Sequence, residues 1–162
     1  MDDGRIVAYS GDDKNDGFLY KFISSEPDSL KEGTLDIEVQ PKLKAKFKTQ
    51  TEVLIRMREA AAMLGATPQN RPEDIEIDPL TGHVLVAMTN NKPKGDYHGS
   101  ILKLMEKKGA YDALEFDIDT LAVGGKKAGF SCPDNMVFDL AGNLWYRRRS
   151  IYPAVVRNPI YH

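Results

Sequence analysis

Short apolar blocks separated by turn residues dominate the chain, and only one stretch carries apolar residues at helical spacing. Arg5-Ile6-Val7-Ala8-Tyr9 and Phe18-Leu19-Tyr20-Lys21-Phe22-Ile23 are β-branched and aromatic runs. Between them lies the breaker-rich Gly11-Asp12-Asp13-Lys14-Asn15-Asp16-Gly17, so residues 5–23 are predicted as a hairpin. Alternation from Thr34 to Val39 predicts another strand. Residues 41–50 place a lysine at every second position up to Lys48, which fits an edge strand with a charged outer face or an extended loop. The period then changes. Val53, Leu54, Met57, Ala60, Ala61 and Leu64 follow helical spacing, with Thr49 or Thr51 as a start cap and Gly65 as a stop, so one helix is expected at about 51–64.

The second half repeats a phrase. Arg71-Pro72-Glu73-Asp74-Ile75-Glu76-Ile77-Asp78 passes through Thr81-Gly82 into His83-Val84-Leu85-Val86-Ala87. Cys132-Pro133-Asp134-Asn135-Met136-Val137-Phe138-Asp139 passes through Ala141-Gly142 into Asn143-Leu144-Trp145-Tyr146. Each copy gives a proline, a polar pair, a short strand, an aspartate, a glycine turn and a second strand. Strands at 73–78, 83–88, 100–105 and 114–118 make one plausible propeller blade, and the second copy opens the next. Pro133 follows Pro72 by 61 positions, more than the roughly 40–50 residues of a plain blade, so the excess is assigned to loops such as Gly124-Gly125-Lys126-Lys127. The predicted fold is mainly β, a single domain over 1–162 forming an incomplete β-propeller. Residues 147–162, with Arg147-Arg148-Arg149 read as a solvated end, are expected as an edge strand or a loosely attached tail.

Composition narrows the functional classes. The chain has 162 residues, 41% hydrophobic and 28% charged, which is ordinary for a globular domain with a sizeable core. A net charge of -2 gives no basic excess to neutralise nucleic-acid phosphates. No apolar run is long enough to span a membrane, and the acidic start Met1-Asp2-Asp3-Gly4 lacks the apolar region of a signal peptide. The single cysteine excludes an intrachain disulfide.

Asp12–Gly17 hints at a calcium loop, but Lys14 stands where the third-position ligand belongs and no glutamate follows at the twelfth, so a hairpin turn is the better reading. His83, His98 and His162 have no metal spacing, and Cys132 is read as a buried thiol before a channel metal ligand. The strong constellation is Arg71, Glu73 and Asp74 with Asp134 and Asn135. Hard cations need several oxygen donors, and a propeller gathers strand entries around one axis. Glu73 and Asp74 could equally cap a tight strand entry; the second copy at Asp134-Asn135 favours metal. An arginine two positions from such a glutamate is placed to clamp an anion bidentately.

With these residues in hand, a family becomes visible. Tyr9-x-Gly11-Asp12-Asp13, Tyr20-Lys21-Phe22, Thr51–Arg56, Arg58-Glu59-Ala60-Ala61, Leu64-Gly65-Ala66-Thr67, Arg71–Glu76, Val86–Asn91 and Cys132-Pro133-Asp134-Asn135 together resemble the PhoX-type alkaline phosphatases. The resemblance implies a six-bladed propeller, a channel cofactor of calcium and iron, phosphomonoester substrates, and export to the periplasm or beyond. It places Arg71 on the phosphate, Glu73 between metals, the Asp74 carbonyl and Asp134 on calcium, and Asn135 adjacent. The family is several times longer than one or two blades, its iron-binding cysteine lies outside the matched region, and a second bridging glutamate has no counterpart here. The expectation is therefore a truncated relative with part of the ligand set, weak or inactive alone, and cytoplasmic if made as given. Two alternatives stand beside it: a calcium-dependent lactonase or esterase propeller, and a non-catalytic module whose open strand edges pair with another chain, including a second copy.

Overall fold

Val84–Met88 carries five apolar residues in succession, and all five are buried. A strand apolar on both faces belongs at the centre of a sheet, and the computed structural model places it there. The structure describes residues 3–29, 41–148 and 154–156. They divide into two compact units, residues 1–10 with 18–68 and residues 11–17 with 69–162. The chain is mainly β, in several antiparallel sheets consistent with a propeller fragment. No helix among the described residues is long and apolar enough to cross a membrane.

In the first unit β1 (Arg5–Gly11) pairs with β3 (Leu19–Pro27), as the hairpin pattern predicts. The lysine-alternating segment does not form the predicted strand or extended loop. It starts with a helical turn, α1 (Pro41–Lys44), which buries Leu43, and Phe47 beyond the turn is buried as well. The predicted single helix at 51–64 is two, α2 (Gln50–Ile55) and α3 (Met57–Leu64), broken at Arg56 (φ -111°, ψ 35°). Thr49 caps α2 by accepting from the Glu52 amide at 3.2 Å, while the Glu52 carboxylate accepts from the Lys48 amide at 2.6 Å. This reciprocal capping fixes the entry to the helix. Gly65, at φ 79°, closes α3 where a side chain would be strained. Leu43, Phe47, Val53 and Ala60 form the small core, and the Arg56 guanidinium lies 5.1 Å from the Phe47 ring centroid. The strand predicted at 34–39 lies outside the described residues.

The second unit holds the repeat. Strands β5 (Pro72–Ile77), β6 (Val84–Met88), β7 (Ser100–Glu106) and β8 (Phe116–Val123) form a four-stranded antiparallel meander in the order β5-β6-β7-β8, consistent with a propeller blade. Strands β9 (Pro133–Phe138), β10 (Leu144–Arg148) and β11 (Ala154–Val156) form a three-stranded sheet. Of the predicted tail, residues 154–156 thus pair as an edge strand with β10, and most of the rest lies outside the described residues. Leu85, Ala87 and Ile101 from the first sheet and Met136, Leu144 and Tyr146 from the second share one core with Phe130. The short pair β2 (Asn15–Gly17) and β4 (Gln69–Asn70) belongs to this unit as well.

The two copies of the phrase fold alike. Asp78 accepts from the Leu80 amide (2.9 Å) and the Thr81 hydroxyl (2.7 Å) in the turn between β5 and β6. Asp139 does the same between β9 and β10, accepting from the amides of Ala141 (2.9 Å) and Asn143 (2.8 Å), the Asn143 side chain and Trp145 Nε1 (2.9 Å). These donors, Trp145 foremost, pull the Asp139 carboxyl down to about 2. A carboxyl with a depressed folded-state pKa stabilises the fold above its ordinary value of 3.8, and the contribution is lost as pH falls towards 2. Trp145 is the single tryptophan. Its emission is therefore expected to change over that window, in a step that Asp139→Asn lacks. Identical acid titrations of the two proteins would contradict this.

Candidate active site

Arg71 and Cys132 stand at the same place in the two copies, each just before a fully buried proline, Pro72 and Pro133. Both have left-handed backbone, φ 58° and 53°. Only a few per cent of residues other than glycine adopt positive φ, and a following proline favours extended backbone instead. Such strain persists where the surroundings impose it, commonly at functional sites. Here the Arg71 carbonyl accepts from the Thr89 amide at 3.0 Å, and the Cys132 amide donates to the His98 carbonyl at 2.7 Å. One residue later β5 carries a bulge: Pro72 faces Met88 and Asp74 faces Ala87, which leaves Glu73 between them. A bulge breaks the alternation of side chains and re-aims the extra residue.

The side chains that result converge. Arg71 donates from Nε to Asp13 Oδ1 (2.8 Å) and from Nη2 to Asp13 Oδ2 (2.9 Å), a bidentate pair. Its Nη2 also reaches Glu73 Oε2 at 3.3 Å, and the single proton of the Thr89 hydroxyl is shared between that same oxygen (3.3 Å) and the Pro133 carbonyl (3.0 Å). The Asp13 hydrogen bonds hold the Arg71 pKa above its ordinary value. Burial, and then hydrogen bonding with the carboxyls of Asp13 and Asp134, push Glu73 up to about 7. The structure thus places Arg71, Glu73 and Asp134 side by side. Asp74 uses its side chain elsewhere, accepting from the Met136 amide at 2.5 Å and so fastening β9 to β5. Asn135 sits exposed on β9.

Asp13 is the residue that the sequence reading does not find, because the Asp12–Gly17 run reads as a hairpin turn. Gly11 lets that turn approach β5, since a Cβ there would lie 2.3 Å from the Pro72 carbonyl oxygen. The abundance of carboxylates in so short a turn was the available signal. Cys132 is half-buried and not enclosed in the core, accepting from Asn90 Nδ2 at 3.4 Å. With Asp13, Lys14, Arg71, Asn90 and Lys92 it lines a cleft of about 490 Å³.

Asp13, Glu73 and Asp134 are hard oxygen donors, the type that calcium takes, and their crowding is the repulsion that a cation would relieve. Among the described residues, no three carboxylate, imidazole or thiol groups are already spaced as a cation's ligand set. The guanidinium of Arg71 lies against two of the carboxylates instead. The donor chemistry fits a hard cation.

The family model described as alkaline phosphatase PhoX matches residues 1–148. No curated protein gives a significant match. Among solved structures, the chain is similar to Pseudomonas fluorescens PhoX in complex with vanadate, a transition-state analogue, at 26% identity and a TM-score of 0.75. The match covers 90% of this chain and 36% of that one, so the chain spans about a third of the relative's length. With the family model covering nearly all of the sequence, the chain belongs to the alkaline phosphatase PhoX family.

Proposed function

We propose that this chain carries part of the active site of a metal-dependent phosphomonoester hydrolase. Arg71 is the clamp for the phosphoryl group; Glu73, Asp134 and the Asp74 carbonyl are donors to a hard cation, calcium before iron, with Asn135 beside them. The observation that carries the reading is the strained Arg71 at the cleft, held bidentately by Asp13 and bulge-coupled to Glu73. The solved relative's complex with vanadate supports an oxyanion as the ligand. The two sheets of the second unit are then one blade and part of the next in a propeller.

In this reading each side chain has a defined task. Asp13 fixes the guanidinium plane, leaving the remaining Arg71 N–H groups free to hold the equatorial oxygens of a phosphoryl group. Thr89 orients Glu73 by donating to one of its oxygens. A bound cation would supply charge neutralisation and activate the attacking oxygen.

Elemental analysis of the purified protein, paired with hydrolysis of a generic phosphomonoester in calcium or in chelator, tests this. Bound calcium with weak, chelator-sensitive turnover is the expected result. A protein that hydrolyses the ester equally well in chelator refutes the metal assignment, and one that binds neither metal nor phosphate refutes the reading.

A further inference from the structure

We infer that the cleft beside Arg71 selects phosphomonoesters whose leaving group carries a second anionic group, a carboxylate or a further phosphate, through Lys14 and Lys92. The inference deepens the phosphatase reading above and rests on it.

The first ground is size. About 490 Å³ exceeds what a bare phosphoryl group fills and lies in the range of pockets that hold whole small ligands. The second is charge. Three cations line the cleft, Arg71, Lys14 and Lys92, against the single carboxylate of Asp13, and that carboxylate is spent on Arg71. Lys14 and Lys92 make no ion pair among the described residues, whereas Lys94, two positions on, pairs with Asp16 at 2.6 Å. Ammonium groups without counter-ions on a concave wall concentrate anions there.

The third ground is that the two lysines stand on loops tied to each other. The Lys14 loop is held by Lys14–Gly17 and Asp12–Lys14 backbone bonds and by the pairing of β2 with β4. Lys92 begins a short 3-10 turn that is closed by the Asn91–Asp96 bridge and ends at Gly95, φ 82°. The buried Asn91 side chain donates to Asp16 Oδ1 (3.0 Å) in the first loop and to Asn70 Oδ1 (3.1 Å) on β4. Asn70 in turn donates to Asp96 Oδ2 at 2.8 Å, at the end of the second loop. Two cations whose backbones are cross-linked in this way are preorganised for a ligand that bridges from Arg71 towards them.

The test compares glycerol 3-phosphate with 3-phosphoglycerate, which share the phosphomonoester and differ in a carboxylate. Both kcat/KM and calorimetric binding are measured on the calcium-loaded protein. The expected preference for 3-phosphoglycerate is about tenfold at low salt, falling as salt screens it. Lys14→Met with Lys92→Met is expected to bring the ratio near one, while Lys14→Arg with Lys92→Arg keeps it. Because the salt dependence is read on the unsubstituted protein, a poorly folding variant does not shield the idea. Equal handling of the two esters, a preference insensitive to salt, or a ratio unmoved by the methionines overturns it. Turnover of both esters at equal efficiency removes the subsite and leaves the phosphatase reading intact. Selective, salt-sensitive binding without turnover does the reverse.

Discussion

Arg71→Ala is expected to lower phosphomonoester turnover by a factor of about 10²–10³, the usual effect of removing one preorganised donor to a developing oxyanion. The guanidinium is not a loose surface charge. Both Asp13 oxygens hold it at 2.8 and 2.9 Å, and its own side chain is only 18% exposed. A lysine cannot reproduce that fork, so Arg71→Lys should recover little of the loss. The backbone adds a control. At φ 58° alanine keeps the strain of the left-handed region, about 1–2 kcal/mol, and glycine releases it. Arg71→Gly should therefore be more thermostable than Arg71→Ala and just as inactive. Asp13→Asn, which leaves the arginine present but held by a neutral partner, should fall between wild type and Arg71→Ala in kcat/KM. Activity within tenfold of wild type in Arg71→Ala would remove the phosphate clamp from this residue.

How much of this was legible beforehand depends on the period of each pattern. The strands of the four-stranded sheet were visible because β6 is an unbroken apolar run and its neighbours are bounded by Asp, Gly and Pro turns. The repeat was visible as residues, and the structure adds that both copies share a positive φ before proline. The segment 41–50 misled because period two and helical spacing coincide at four residues. Leu43 and Phe47 satisfy either pattern, and the lysines between them decided for the wrong one. The helix break at Arg56 had no glycine or proline to announce it.

The candidate site shows a sharper boundary. Arg71 and Glu73 were readable from their spacing and from the family resemblance, whereas Asp13 comes from 58 positions away and meets Arg71 only through the fold. Nothing local to Asp12–Gly17 distinguishes a turn that ends in solvent from one that approaches β5. The close contact of Gly11 with the Pro72 carbonyl, which settles it, is a tertiary fact.

Asp74 separates two tasks that sequence alone merges. The family resemblance assigns its carbonyl to calcium, while the structure gives its carboxylate to the Met136 amide at 2.5 Å. That bond joins the first strands of the two sheets, β5 and β9, next to the bond from Thr89, the residue after β6, to Pro133 of β9. Met136 is buried, so removing the acceptor strands its N–H away from water, a loss of about 2 kcal/mol for a hydrogen bond to a charged group. In a domain of this size that corresponds to a fall in Tm of roughly 4–8 °C for Asp74→Ala. Asp74→Asn keeps an acceptor oxygen at the same place and should lose less than half as much. The carbonyl survives both substitutions, so calcium content measured beside Tm divides the roles. Reduced stability with calcium retained means that the carboxylate is a fastener between sheets and the carbonyl remains available to the metal. An unchanged Tm in Asp74→Ala would mean that β9 is held to β5 by the shared core and Thr89, and that the carboxylate has no part in it.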